Sequence, residues 1–178
     1  FMPKNIVIID YNMGNLASVA NAIEYLGHKA TISNKIEDIE FADCLILPGV
    51  GAFGDGMKNL IDLNLINVLK EQILEKKKPI IGLCLGMQLF AEEGYEGGLN
   101  KGLGFIKGKV KKLDVKNLRI PHMGWNDVSF KKNCLLFKNL DKSESFYFAN
   151  SYHFIPEEDI VVGTFNYGDE FVGIIQKD

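Results

Sequence analysis

The first half of the chain alternates between two hydrophobic rhythms. Lys4 to Asp10 is a compact Ile/Val run, the mark of a buried strand, and Asn12-Met13-Gly14-Asn15 follows as turn chemistry. Leu16, Val19, Ile23 and Leu26 then recur at helical spacing until Gly27 closes the pattern. Lys29 to Ser33 alternates as a second strand, and Asp43 to Leu47 is a third that ends in Pro48-Gly49-Val50-Gly51. From Gly54 a long amphipathic pattern through Leu74 predicts one or two helices ending in Lys76-Lys77-Lys78, a solvated helix end with no binding role. A fourth apolar run, Pro79 to Leu83, precedes a second helical start at Met87, Leu89 and Phe90. Strand–helix alternation of this kind predicts a parallel sheet with helices on both faces and ligands beyond the carboxyl ends of its strands.

After Gly94 the pattern changes. Glycines crowd from Gly94 to Gly108, and short runs rich in β-branched and aromatic residues alternate with turns at Phe105–Leu113, Asn126–Phe130, Ser145–Phe154, Ile160–Tyr167 and Phe171–Ile175. This predicts an added, mostly antiparallel β portion. With no repeats, linkers or low-complexity tracts, 178 residues are expected to form a single domain over residues 2–178. Phe1 before Met2 reads as a residue left by an expression tag and is set aside.

Composition changes the picture little. Apolar content of 47% and charged content of 24% are ordinary for a globular protein, and a net charge of −3 gives no reason to expect nucleic acid or an anionic membrane as partner. No apolar run reaches the length of a membrane span. Cys44, Cys84 and Cys134 are odd in number and widely spaced, which argues against a disulfide framework or a zinc site and fits a reduced, cytoplasmic setting. No metal or cofactor is expected. Cys44 falls in an apolar run as core packing, and Cys134 carries no signal.

Cys84 is different. Gly82-Leu83-Cys84-Leu85-Gly86 lies between a strand and a helix and has the form of a nucleophile elbow. The following helix is expected to aim its N–H groups at the sulfur and favour thiolate. The Leu85 N–H is placed to bind an oxyanion, and Pro48-Gly49-Val50-Gly51 could turn a second N–H toward it or be an ordinary strand-to-helix turn. Gln88, four residues on, shares a helix face with Cys84 and could hold the charged end of an amino acid or simply face solvent. Glu96 lies just beyond the same helix. A cysteine nucleophile wants a histidine base. His28 follows Gly27 as a helix-end cap, His122 sits in the loop Pro121-His122-Met123-Gly124-Trp125-Asn126, and His153 ends Asn150-Ser151-Tyr152-His153 on a strand. Spacing alone makes none of them the partner of Cys84.

Gly82-Leu83-Cys84-Leu85-Gly86-Met87-Gln88 together with Leu47-Pro48-Gly49-Val50-Gly51 resembles the class I (triad) glutamine amidotransferases. Asp10-Tyr11-Asn12-Met13-Gly14-Asn15-Leu16 and Pro121-His122-Met123-Gly124-Trp125-Asn126 narrow the resemblance to the glutaminase subunits of imidazole glycerol phosphate synthase, of histidine biosynthesis. The resemblance covers essentially the whole chain. It implies an α/β, flavodoxin-like fold and hydrolysis of L-glutamine through a thioester, with ammonia passed to a (β/α)₈ cyclase subunit in a heterodimer. By resemblance Cys84 is the nucleophile, Gly49, Val50 and Gly51 form the oxyanion strand, and Gln88, Glu96, Ser151 and Tyr152 contact glutamine. Asn12, Asn15, His122, Met123, Trp125 and Asn126 match stretches that face the synthase.

Two departures stand out. The family takes its histidine and glutamate from a His-Pro-Glu motif near the C-terminus, which does not occur in these 178 residues. The chain is therefore read as lacking that segment, and a protein ending at Asp178 is expected to be a poor glutaminase. Asn150-Ser151-Tyr152 stands where the family usually has His-Ser-Tyr. That substitution keeps open a paralogous glutaminase serving a sugar-aminating synthase for surface glycans, and the missing motif keeps open a catalytically dead regulatory subunit.

Overall fold

The computed structural model describes residues 5–132, 134–138 and 140–178; Phe1 and the start of the first apolar run at Lys4 lie outside them. The chain divides into two compact units, one running to Ile106 and one from Lys107 to Asp178.

The first unit carries four short parallel strands, β1 (Ile6–Ile9), β2 (Ala30–Ser33), β3 (Cys44–Leu47) and β4 (Ile80–Gly82), in the order β2-β1-β3-β4. The central strands β1 and β3 are covered on both faces, with Val7, Ile8, Ile9, Leu45 and Leu47 buried almost completely, whereas β2 and β4 leave Ile32 and Ile81 partly exposed. Because the order reverses between β1 and β3, a crevice opens beyond their carboxyl ends. Three segments emerge there: Asp10–Tyr11 after β1, Pro48–Gly51 after β3, and Leu83–Cys84 after β4.

The helices are α1 (Leu16–Tyr25), α2 (Ile36–Phe41), α3 (Phe53–Asp62), α4 (Ile66–Lys70) and the single turn α5 (Leu85–Gln88). Asn15 caps α1 by accepting from Ser18 N at 3.2 Å. At its other end Gly27 takes φ +82°, and the His28 and Gly27 N–H groups close the last carbonyls, as the sequence suggests. The long pattern after Gly54 breaks at Asn64, whose φ of +57° turns the chain between α3 and α4, and α4 widens into a π-type turn over Glu71–Glu75. Helix α2 has no counterpart in the sequence reading. It is one and a half turns long and buries only Ile39. Lys78, read as a solvated helix end, donates to the Ile39 and Glu40 carbonyls at 2.7 Å each and so caps α2. A two-residue hairpin, β5 (Glu93–Gly94) with β6 (Asn100–Lys101), completes the unit.

The second unit is antiparallel, as expected. β7 (Gly108–Lys112) pairs with β10 (Tyr152–Pro156), and β8 (His122–Phe130), β9 (Ser143–Asn150), β11 (Val161–Asn166) and β12 (Glu170–Ile175) form a sheet ordered β12-β11-β8-β9. One reading is corrected here. The stretch from His122 to Trp125, taken for a loop, is the first half of β8 and pairs residue for residue with Asn150 back to Tyr147. Its inner face holds His122 stacked among Phe148, Phe165 and Tyr167, at ring separations of 4.9, 5.3 and 4.1 Å. Its outer face leaves Met123 and Trp125 in solvent, at 64% and 74% exposure.

Candidate active site

Cys84 sits at φ +53°, ψ −113°, a left-handed conformation costly for any residue with a side chain. The elbow glycines are needed for closeness rather than for their own angles. A Cβ on Gly86 would lie 1.8 Å from the Leu47 carbonyl oxygen, and one on Gly82 would meet the Met87 backbone at 2.7 Å. Removing both side chains lets α5 pack directly on the ends of β3 and β4. That contact holds the thiol at the crevice.

The Pro48–Gly51 segment lies against the elbow. A Cβ on Gly49 would fall 2.4 Å from the Tyr11 hydroxyl and 2.9 Å from the Leu85 Cβ. The Leu85 N–H, expected as a free oxyanion donor, donates to the Gly49 carbonyl at 3.3 Å. The donor is present where the sequence places it but is occupied. Since C=O and N–H of a trans peptide point in opposite directions, the Val50 N–H faces away from Leu85. Gly51 has φ +112°, and Val50 is 60% exposed.

The expected thiolate is not favoured. Cys84 is exposed as a residue, but protein packed around its sulfur pushes its pKa up, and a hydrogen bond from the Leu85 backbone pulls it down but loses. Helix α5 is one turn long, so its dipole is too small to reverse that balance. The thiol needs a base to take its proton.

Sequence reasoning missed Tyr11. It is fully buried, and its hydroxyl donates to the Pro48 carbonyl at 2.5 Å. Burial first, and then charge on Cys84, raise its pKa, so it remains a protonated donor. A Cβ on Gly14 would lie 3.3 Å from Gly49 N, and one on Gly51 would lie 2.9 Å from Met13 Cε. An aromatic hydroxyl directly after a strand at a switch point was the available signal. Tyr11→Phe removes the donor from a buried carbonyl and is expected to cost about 1–2 kcal/mol in urea unfolding; an unchanged midpoint would show the bond to be idle.

Gln88 ends α5, its N–H bonded to the Cys84 carbonyl at 3.2 Å. Glu96 is half-buried, and its Oε2 accepts from Phe53 N at 2.9 Å. Cys84, Leu85, Gly49, Val50, Gly51, Gln88 and Glu96 thus all belong to the first unit, as do exposed Asn12 and Asn15. Ser151 and Tyr152 belong to the second, where the Ser151 carbonyl accepts from Leu113 N and Asn150 Nδ2 donates to the Tyr152 carbonyl. His122 and His153 are there too. His122 is 3% exposed inside its aromatic stack, and His153 packs edge-on against Phe171; burial lowers both pKa values. No group of three or more His, Cys, Asp or Glu that could hold a metal ion occurs among the described residues.

The family model for class-I glutamine amidotransferases matches residues 7–178. The chain is 49% identical to imidazole glycerol phosphate synthase subunit HisH 1 of Campylobacter jejuni strain RM1221, over 97% of this chain and 87% of that protein. It is 47% identical to the HisH subunit of Aquifex aeolicus, over 97% and 83%, and 48% identical to that of Methanocaldococcus jannaschii, over 96% and 85%. A crystal structure of a glutamine amidotransferase superposes with a TM-score of 0.73 at 19% identity, covering 96% of this chain and 84% of that one. One from Thermotoga maritima gives 0.59 at 15% identity, covering 97% and 75%. At such identities these two speak for the fold alone. The elbow at Cys84, the glycine segment beside it and the match across nearly the whole chain place this protein in the class-I glutamine amidotransferase family.

Proposed function

We propose that the chain is the glutaminase subunit of an imidazole glycerol phosphate synthase, supplying ammonia for histidine biosynthesis. The carrying observation is Cys84 held at positive φ on a glycine elbow, with the Leu85 N–H and the Pro48–Gly51 segment beside it. The Cys84 sulfur attacks the side-chain amide carbon of L-glutamine. The carbonyl oxygen becomes an oxyanion at the Leu85 N–H, the base passes the proton taken from the thiol to the amide nitrogen, and the C–N bond breaks so that ammonia leaves. Water then hydrolyses the thioester to glutamate. Gln88 and Glu96 hold the amino-acid end of the substrate. In the family the base is the histidine of a His-Pro-Glu motif, which these 178 residues do not contain.

The Gly49 carbonyl on the Leu85 N–H marks a resting arrangement. Turning the Gly49–Val50 peptide over would free Leu85 and swing the Val50 N–H in beside it, and we assign that motion to docking of a liganded (β/α)₈ cyclase subunit. Glutamine hydrolysis is therefore expected to rise when the liganded cyclase is added to the full-length protein. Equal rates with and without it would sink the assignment.

The outer face of β8 and β9 supports a partner. Trp125 and Tyr147 stand edge to face at 5.8 Å and are 74% and 59% exposed, with Met123 beside them in register. Trp125→Ala is expected to weaken the complex roughly 30-fold in titration calorimetry without lowering the melting temperature. An unchanged Kd would remove Trp125 from the interface.

A second reading, a glutaminase for a sugar-aminating synthase, rests on Asn150. This residue faces His122 across the β8–β9 ladder, and its side-chain hydrogen bond to that histidine opposes the burial that lowers the histidine's pKa. Purifying the protein with each candidate synthase, and asking which stimulates glutamine hydrolysis, separates the two.

A further inference from the structure

The segment Pro48–Gly51 runs straight into α3, so whatever fixes the start of α3 also fixes the far end of that segment. The residue at the helix boundary, Ala52, has no side-chain oxygen to satisfy the first N–H groups. The acceptor comes instead from Glu96, 43 positions along the chain, through its Oε2 to Phe53 N at 2.9 Å. The hairpin that carries Glu96 is shaped around Phe53. A Cβ on Gly94 would strike the Phe53 ring at 2.6 Å, one on Gly102 would lie 3.1 Å from its Cζ, and Phe53 itself is fully buried. Asn100 braces the hairpin loop by donating to the Glu96 and Gly98 carbonyls at 3.0 and 3.1 Å.

We infer that Glu96 is a positioning residue for the oxyanion segment, beyond any contact it makes with substrate. Gly49 is wedged between the Tyr11 hydroxyl and Leu85, and Phe53 is clamped by the Glu96 hairpin. Only Val50, Gly51 and Ala52 lie between these anchors. Their peptides can reorient, but the span cannot drift away from Cys84 while both ends hold. One carboxylate oxygen of Glu96 serves the clamp, and the other is left for a substrate ammonium group. Glutamine occupancy and the placement of the oxyanion donors thus share one side chain.

This inference rests on reading Cys84 and Pro48–Gly51 as the thioester site, and its test separates the two. The probes, used on the full-length protein with the liganded cyclase bound so that the oxyanion donors are free, are p-nitrophenyl acetate and iodoacetamide. The ester acylates a cysteine through an oxyanion intermediate and has no amino-acid end for Glu96 to hold. Iodoacetamide alkylates by displacement, with no such intermediate. Glu96→Ala should slow ester acylation of Cys84 about tenfold or more while leaving alkylation unchanged. Glu96→Gln keeps an oxygen for Phe53 N–H. It should acylate within about threefold of wild type while its KM for glutamine rises about tenfold or more for want of the charge. Ester acylation of Glu96→Ala at the wild-type rate, or of Glu96→Gln as slow as Glu96→Ala, would overturn the inference. Wild-type protein that takes no acetyl group at Cys84 would overturn the underlying site reading, and the inference with it.

Discussion

Cys84→Ala is expected to lower glutamine hydrolysis by at least about 10⁴-fold in the full-length, partner-bound protein, because no other group can form the thioester. Partner affinity should not change. The pH dependence of alkylation by iodoacetamide adds a second readout. Desolvation raises the Cys84 pKa, so at neutral pH less of it is thiolate than for an ordinary cysteine. Alkylation of the isolated 178-residue chain should therefore climb with pH and level off only above the usual thiol range. A plateau already reached at pH 7 would show that the helix turn does activate the sulfur. The backbone makes a claim of its own. If φ +53° at Cys84 is strained, Cys84→Gly relieves it and should raise stability by about 1 kcal/mol even as activity disappears.

Gly86→Ala should have the largest effect on stability. Its new methyl would sit 1.8 Å from the Leu47 oxygen and 2.7 Å from the Leu47 carbonyl carbon. Both are backbone atoms of the central sheet, so no rotamer change can relieve the overlap, and α5 must lift away from β3. The expected cost is about 3 kcal/mol or more. For a chain of this size that lowers Tm by roughly 6–12 °C. Gly97→Ala is the control, since its φ of +68° carries mild strain but a Cβ there meets nothing within 4 Å. It should cost only about 1 kcal/mol. A Gly86→Ala protein that melts with wild type would mean that the elbow does not pack as described.

The parallel half was legible because its central strands, β1 and β3, are buried on both faces and leave unbroken runs such as Cys44-Leu45-Ile46-Leu47. Gly-x-Cys-x-Gly was legible because close packing of helix on strand demands glycine whatever the rest of the sequence does. Helix α2 was not, since six residues burying one isoleucine give no period to detect. The first half of β8 was hidden by an inverted alternation. Its inward positions are His122 and Gly124, and its outward ones are Met123 and Trp125, so the polar and apolar faces look exchanged. Glu96 could be placed near the site by resemblance. Its bond to Phe53 N joins positions far apart in sequence, and no local pattern announces it. The occupied Leu85 N–H was equally out of reach, because which way the Gly49 peptide faces is a choice between two backbone states of the same residues.

Trp125 is the single tryptophan of the chain, and it stands in solvent against the edge of Tyr147. The protein therefore carries its own optical reporter. Its ultraviolet emission comes from one ring on the outer face of β8, so spectral shift and quencher access both read the wetting of that face. Anything that covers the ring displaces water from it and moves the emission to the blue, whereas glutamine bound beside Cys84 need not. Docking and substrate binding can thus be followed separately, in real time, with no label attached.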